Sequence, residues 1–209
     1  MNDILSNIIV EIVKDNELHA KWLNTLSMME NTGARKISAS EHKTDVSLMV
    51  LKHAAEEARH AYYMKKQIGK LGLADDFRDY SPDLLISPLA SLQYLNRLDV
   101  ELCRYLKNDL KMSGRDLVFG AYLLVTYGIE LRAGELYPIY QAVLSAAHSK
   151  VNVKSVIAEE ETHLEEMLSQ MKSFFGNEWT NVAKYAENVE KKYFKKWTKA
   201  INRELHPMH

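Results

Sequence analysis

Glu57-Ala-Arg-His60 and Glu160-Glu-Thr-His163 are two copies of one short pattern, Glu-x-x-His, set in matching places of the two halves of the chain. In each half a lone glutamate lies upstream, Glu30 before the first copy and Glu130 before the second. On an α-helix residues i and i+3 are neighbours on one face, so each copy presents a carboxylate and an imidazole side by side. With 18 glutamates and 8 histidines among 209 residues, one such string arises by accident about as often as not. Its repetition in register with glutamates 27 and 30 residues upstream is what chance does not readily supply.

The sequence around these strings is helical in period and almost free of strand-like alternation. A first helix is expected over about 3–37, including Ile8, Ile9, Ile12, Trp22, Leu23 and Leu26. A turn at Ser38-Ala-Ser-Glu-His-Lys43 follows, with Ser40 as N-cap of a second helix over about 42–69. The stretch 73–88, with Asp75, Asp76, Asp79, Pro82 and Asp83, is irregular. A crossover helix over about 88–109 leads to Ser113-Gly114 and a third principal helix reaching about Ala147, with a kink expected at Pro138. After a turn at His148-Ser149-Lys150 come a fourth principal helix to Phe175 and a last helix over about 178–204. If paired residues sit at one height on antiparallel neighbours, the reversals belong midway between them. The midpoints fall at about 44 and about 146, where composition independently places turns. A helix of about 28 residues is about 42 Å long, a distance that 73–112 can span. The expected architecture is therefore all-α and one domain over 1–209: four principal helices in 3–175, one long crossover and an extra C-terminal helix.

Four glutamates brought to one height inside a bundle demand cations, because each uncompensated buried charge costs several kcal/mol or titrates away. Four carboxylates and two imidazoles, each Glu paired with a Glu-x-x-His, form a donor set that suits a pair of redox metals in a four-helix bundle. The alternative is that all six face solvent in surface ion pairs. The small residues Gly33-Ala34 and Ala133-Gly134 follow Glu30 and Glu130 at the same offsets, +3 and +4. They leave room beside the glutamates, or serve close helix packing.

The doubled pattern resembles the ferritin-like superfamily of di-iron carboxylate proteins over residues 3–175. The resemblance implies a ferritin-like four-helix bundle with Glu30, Glu57, His60, Glu130, Glu160 and His163 as metal ligands, Glu57 and Glu160 bridging two iron ions. The histidine on the fourth helix is closer to bacterioferritins, rubrerythrins and small di-iron oxygenases than to storage ferritins. Rubredoxin-like cysteine pairs are missing, unlike a standard rubrerythrin. Ile129-Glu-Leu-Arg-Ala-Gly-Glu135 is similar to a string of the ferritin-like tRNA hydroxylases.

The function this implies is an oxygen-activating di-iron oxidoreductase, a hydroxylase, oxygenase or N-oxygenase of a small organic substrate, using O2 and an electron donor. A ferroxidase, iron-handling or peroxide-detoxifying protein is the alternative, and manganese–iron or dimanganese could replace the iron pair. The first reading expects an apolar tunnel reaching the metals, and the alternative an interior filled by side chains. Tyr127, one turn before Glu130, and Tyr63, one turn after His60, are candidates to face the cluster as hydrogen-bond donors or radical carriers, or are ordinary core tyrosines. Glu135 is expected to pair with Arg35 or Arg132. Glu56, Glu159 and Glu161 are expected on a solvated face or bonded to ligands from outside. His19, His42, His53 and His148 read as surface or turn residues.

Net charge is −1, so no global field marks a nucleic-acid or membrane-surface binder. The last helix carries Lys191, Lys192, Lys195, Lys196, Lys199 and Arg203 among Tyr193, Phe194 and Trp197. A solvated face over a packed aromatic stripe is favoured there, with RNA or anionic lipid the less favoured partners. A lone cysteine, Cys103, together with the want of an apolar run of about 18 residues or a basic leader, leads us to expect a cytoplasmic protein without a membrane span. The enzyme reading expects a small oligomer, a homodimer, for which the last helix could form the surface.

Overall fold

The computed structural model describes residues 2–207, and among them every regular element is helical. The α-helices are α1 (Asn2–Lys14), α2 (Asn16–Ser40), α3 (Leu48–Gly69), α4 (Pro88–Asn108), α5 (Gly114–Ala146), α6 (Lys154–Phe175) and α7 (Trp179–Leu205). Hairpins α2–α3 and α5–α6 reverse over residues 41–47 and 147–153, the first enclosing the expected midpoint 44 and the second starting just past 146.

The two hairpins face one another. Lys52 pairs with Glu166 and Arg59 with Glu159, so α3 and α6 run antiparallel. On the other side of the bundle α2 meets α5, where His19 bonds to Tyr140 and Glu30 to Tyr137. An outer layer of α4 and α7 covers that α2/α5 side. These two are also antiparallel, because Ser87 bonds to Glu204 and Tyr94 to Glu190. Trp197 of α7 stacks between Trp22 of α2 at 5.8 Å and Tyr94 of α4 at 5.6 Å, joining the layers. On α7 the aromatic stripe Tyr193, Phe194 and Trp197 is buried while Lys191, Lys192, Lys195, Lys196 and Lys199 face solvent.

Local chemistry moved some boundaries. The expected helix over 3–37 is two helices, because the Asp15 carboxylate accepts the Leu18 N–H at 2.7 Å and starts α2 afresh. Ser40 is not an N-cap. It ends α2, and its hydroxyl donates to the Ile37 carbonyl. His42 Nδ1 accepts the backbone N–H groups of Thr44 and Asp45 and holds the turn, so α3 starts only after Ser47, whose hydroxyl accepts from Val50. At Pro138 α5 runs on as one helix. Both Pro138 and Gly134, whose carbonyl loses its partner, are exposed, so water can serve that carbonyl.

α5 touches α1, α2, α4, α6 and α7, which explains an apolar sequence on nearly every side. By length and a mean hydropathy of 1.2 over its most apolar 18 residues it is also apolar enough to cross a membrane, although charged residues interrupt it. In this fold it is the central helix and carries charges into the core. Arg132 lies on the Phe194 ring, 3.9 Å from its centroid, and donates to both Glu190 oxygens at 2.9 and 2.6 Å. Glu135 is its third partner, as expected of that pair. Because Glu190 is as buried as Arg132, Arg132→Ala strands a charge, and we expect a loss of about 3–5 kcal/mol, read by urea unfolding.

Candidate metal centre

All six glutamates and histidines of the repeated pattern converge between the hairpins. Oxygen or nitrogen atoms of Glu57, Glu130, Glu160 and His163 lie within 4.8 Å of one another, and so do those of Glu30, Glu57 and His60. Glu57 belongs to both groups. Glu160 reaches both histidines, with Oε1 3.1 Å from His60 Nδ1 and Oε2 3.7 Å from His163 Nδ1. The two imidazoles sit 5.9 Å apart, ring centre to ring centre. Five of the six residues are fully buried and Glu30 is half-buried.

Each histidine is held by the opposite hairpin. Glu159 on α6 accepts from His60 Nε2 at 2.7 Å, and Glu56 on α3 accepts from His163 Nε2 at 2.8 Å. The repeated unit is thus longer than the string that first revealed it: Glu56-Glu57-x-x-His60 and Glu159-Glu160-x-x-His163. In each unit the second glutamate points into the cluster and the first clasps the histidine of the other unit. Arg59 steadies this shell, donating to Glu159 at 2.6 Å. With Nε2–H donated outward, each Nδ1 lone pair faces the cluster.

Three buried atoms there have no hydrogen-bond partner: His60 Nδ1, His163 Nδ1 and Glu130 Oε2. Orphaned lone pairs beside like-charged carboxylates are costly, and a cation removes that cost. Without one, protons must substitute. Burial and the neighbouring Glu30 carboxylate push the Glu57 pKa well above the ordinary carboxylate range, and burial and Glu160 do the same to Glu130. Burial would raise Glu160 too, but protonated Glu130 and, once their Nδ1 atoms take up protons, the two histidines outweigh it and leave its pKa low. Burial alone would lower His60, yet bonds and charge from Glu160 and Glu30 carry it up to about 9. The residues therefore fit a metal ion, and the buried cluster is one that can hold it. Glu56→Ala and Glu159→Ala, which free a histidine ring without touching the inner six, are expected to weaken metal binding by about 10–100-fold in a competition titration.

Of the two readings of Tyr127 and Tyr63, the structure shows packed tyrosines with satisfied hydroxyls. Tyr127 and Tyr63 do not turn their hydroxyls to the cluster: Tyr127 donates to Glu187 on α7 at 2.9 Å, and Tyr63 to Asn152. The residue that does is Tyr137, which donates to Glu30 and is buried. It stands seven residues after Glu130, two turns along the same face, a spacing that could have marked it. His19 and His53 are buried, not surface residues. His19 bonds to Tyr140 at 2.6 Å, and its pKa falls to about 4 through burial. His53 bridges Tyr122 and Glu166, and its ring centre lies 4.9 Å from that of His163. His42 and His148 are exposed in turns.

On the α2/α5 side a cavity of about 100 Å³ opens onto the carboxylates of Glu30, Glu57, Glu130 and Glu160. Gly33 and Ala133, the +3 members of the small-residue pairs, line it, and a Cβ on Gly33 would come 3.6 Å from Glu57 Oε2. The +4 members do not line it. Ala34 is buried in packing and Gly134 is exposed. Comparison of the chain with family models, curated proteins and solved structures gave no match.

Proposed function

We propose that this chain is an oxygen-activating di-metal oxidoreductase of ferritin-like type, a hydroxylase, oxygenase or N-oxygenase of a small organic molecule. The observation that carries the reading is the apolar cavity ending on four carboxylates, three of them fully buried, in a cluster with two histidines whose Nδ1 atoms have no hydrogen-bond partner. Glu30, Glu57 and His60 would hold one ion, and Glu130, Glu160 and His163 the other, with Glu57 common to both groups. A bound pair of redox metals, iron or manganese, would supply the electrons and the open coordination position that O2 activation needs.

The protein's own contribution is positional. Glu56 and Glu159 fix the histidine rings, Tyr137 fixes Glu30, and the cavity lays an apolar wall beside the carboxylates. A carboxylate can change its mode of contact without moving its helix, whereas the clasped imidazoles stay put. The electrons that would return such a metal pair to its reduced state come from a separate donor. The ferroxidase alternative has no use for an apolar chamber beside the cluster, and a chain built for iron traffic is expected to fill it.

Anaerobic titration with iron(II), followed by oxygen and spectroscopy with and without candidate substrates, tests the reading. Two ions per chain and a transient whose decay depends on substrate are expected. Rapid ferric mineral in a many-subunit shell would move the chain to iron handling, and no stoichiometric iron would remove the metal reading altogether.

A further inference from the structure

The chamber beside the carboxylates restricts what can occupy it. Its walls are mainly aliphatic and aromatic, with Leu26, Met29, Ile37, Leu95, Val125 and Leu136 among them. Two cations also line it, and both are already paired. Lys36 donates to Asp99 at 2.6 Å across the seam between α2 and α4, and Arg132 is shared between Glu190 and Glu135. Its aromatic polar tips are likewise engaged: Tyr94 donates to Glu190, Trp197 Nε1 to Ser91 at 2.8 Å and Tyr137 to Glu30. The remaining wall hydroxyl is that of Thr126.

In the metal-free chain an anionic ligand would therefore meet four carboxylates and no free cation, and would lose its hydration without compensation; with two divalent ions bound, the four carboxylates offset their charge and leave no net positive field to draw it in. A multiply polar ligand would find its hydrogen bonds unmade. An uncharged hydrocarbon group loses nothing on entry and gains burial. Size is bounded as well, since an apolar protein cavity of about 150 Å³ takes up benzene. A chamber of about 100 Å³ suits a group of roughly four to six heavy atoms.

We infer that the molecule oxidised here presents an uncharged, mainly hydrocarbon group of that size to the carboxylate cluster, with at most one hydroxyl-like function directed at Thr126. The word "oxidised" rests on the function proposed above; the binding does not. Any charged or strongly polar part of a longer substrate stays outside, beyond the Lys36–Asp99 pair.

The test uses the full chain, metal-free and loaded with redox-inert zinc(II), titrated with benzene, phenol and benzoate while methyl NMR signals are followed. Benzene is expected to shift the methyls of Val125, Ile129 and Leu136 saturably, and benzoate to bind the metal-free chain at least tenfold more weakly. Ala133→Leu, which fills the chamber, should weaken benzene at least tenfold. Leu95→Ala, which widens the opposite wall, should move the preference from benzene toward toluene, and Thr126→Val should narrow any preference for phenol over benzene. No saturable benzene shift, equal affinity for benzoate, or benzene binding indifferent to both wall variants overturns the inference. Zinc stoichiometry on the same samples separates the failures. Two zinc ions without benzene binding sink the substrate class alone, whereas benzene binding without zinc sinks the metal reading and leaves the apolar site standing.

Discussion

Glu57→Ala is expected to empty both proposed metal positions rather than one. Its carboxylate is the one common to the two donor groups, so removing it takes a ligand from each. His163→Ala removes a donor from one group only, and the ion held by Glu30, Glu57 and His60 should survive it in part. Metal analysis after anaerobic iron(II) loading is expected to fall from about two ions per chain to near none for Glu57→Ala, with His163→Ala in between. Helix content should hold in both, because neither side chain caps or spaces a helix. The metal-free form of Glu57→Ala should be at least as stable as the parent, since a carboxyl forced to stay protonated by burial and by Glu30 has been removed. Two ions still bound to Glu57→Ala would refute the shared-ligand assignment outright.

The metal-free chain is also expected to lose stability steadily as pH rises from about 6.5 to 9. Glu57 and Glu130 have pKa values raised in the folded state, so between the ordinary carboxylate value and the raised one the fold binds more protons than the unfolded chain. His60, raised to about 9, adds stability that is whole below its ordinary value of 6.5 and is lost as pH passes through 9. His163 shifts in the same direction. The low pKa of Glu160 acts in the other sense only in acid, below the ordinary carboxylate value, and those of His19 and His53, which burial lowers, only below the ordinary histidine value of 6.5. A tenfold gain in proton affinity on folding is about 1.4 kcal/mol, so His60 alone supplies a few kcal/mol and the melting temperature should drop by on the order of 10 °C across this span. Bound metal replaces those protons, so metal affinity should tighten with pH while the loaded protein's melting point stays nearly level. A metal-free melting temperature that climbs from pH 6.5 to 9 would show that the four glutamates do not share one buried space.

Much of this was legible in the chain because the decisive relations are local or symmetric. Glu-x-x-His states its geometry within one helical turn, and the duplication states which helices must meet. Both reversals follow by arithmetic. What stayed hidden depends on which way a side chain leans across a seam between helices. Glu56 and Glu159 sat in plain view as the first member of each doubled glutamate, yet only the packing of α3 on α6 shows that each clasps the other's histidine. Tyr127 and Tyr137 stand on either side of Glu130, at −3 and +7, and the outer helix α7 decides between them by drawing the Tyr127 hydroxyl to Glu187. The Arg132–Glu190 pair and the buried His19 and His53 were missed for the same reason, since their partners lie 58 or more residues away. Two local signals were overlooked, Asp15, a capping aspartate inside what read as continuous helix, and Ser47, the serine that caps α3 in place of Ser40.

The reciprocal clasp makes each half of the molecule dependent on the other. Neither hairpin owns a finished imidazole: His60 is oriented only once α6 has docked, and His163 only once α3 has. A chain severed in the 70–87 connection would consist of two fragments that are each poor chelators apart and competent together. Assembly and metal uptake would then be one event, and the metal content of a mixed solution would count how many halves had found their mates.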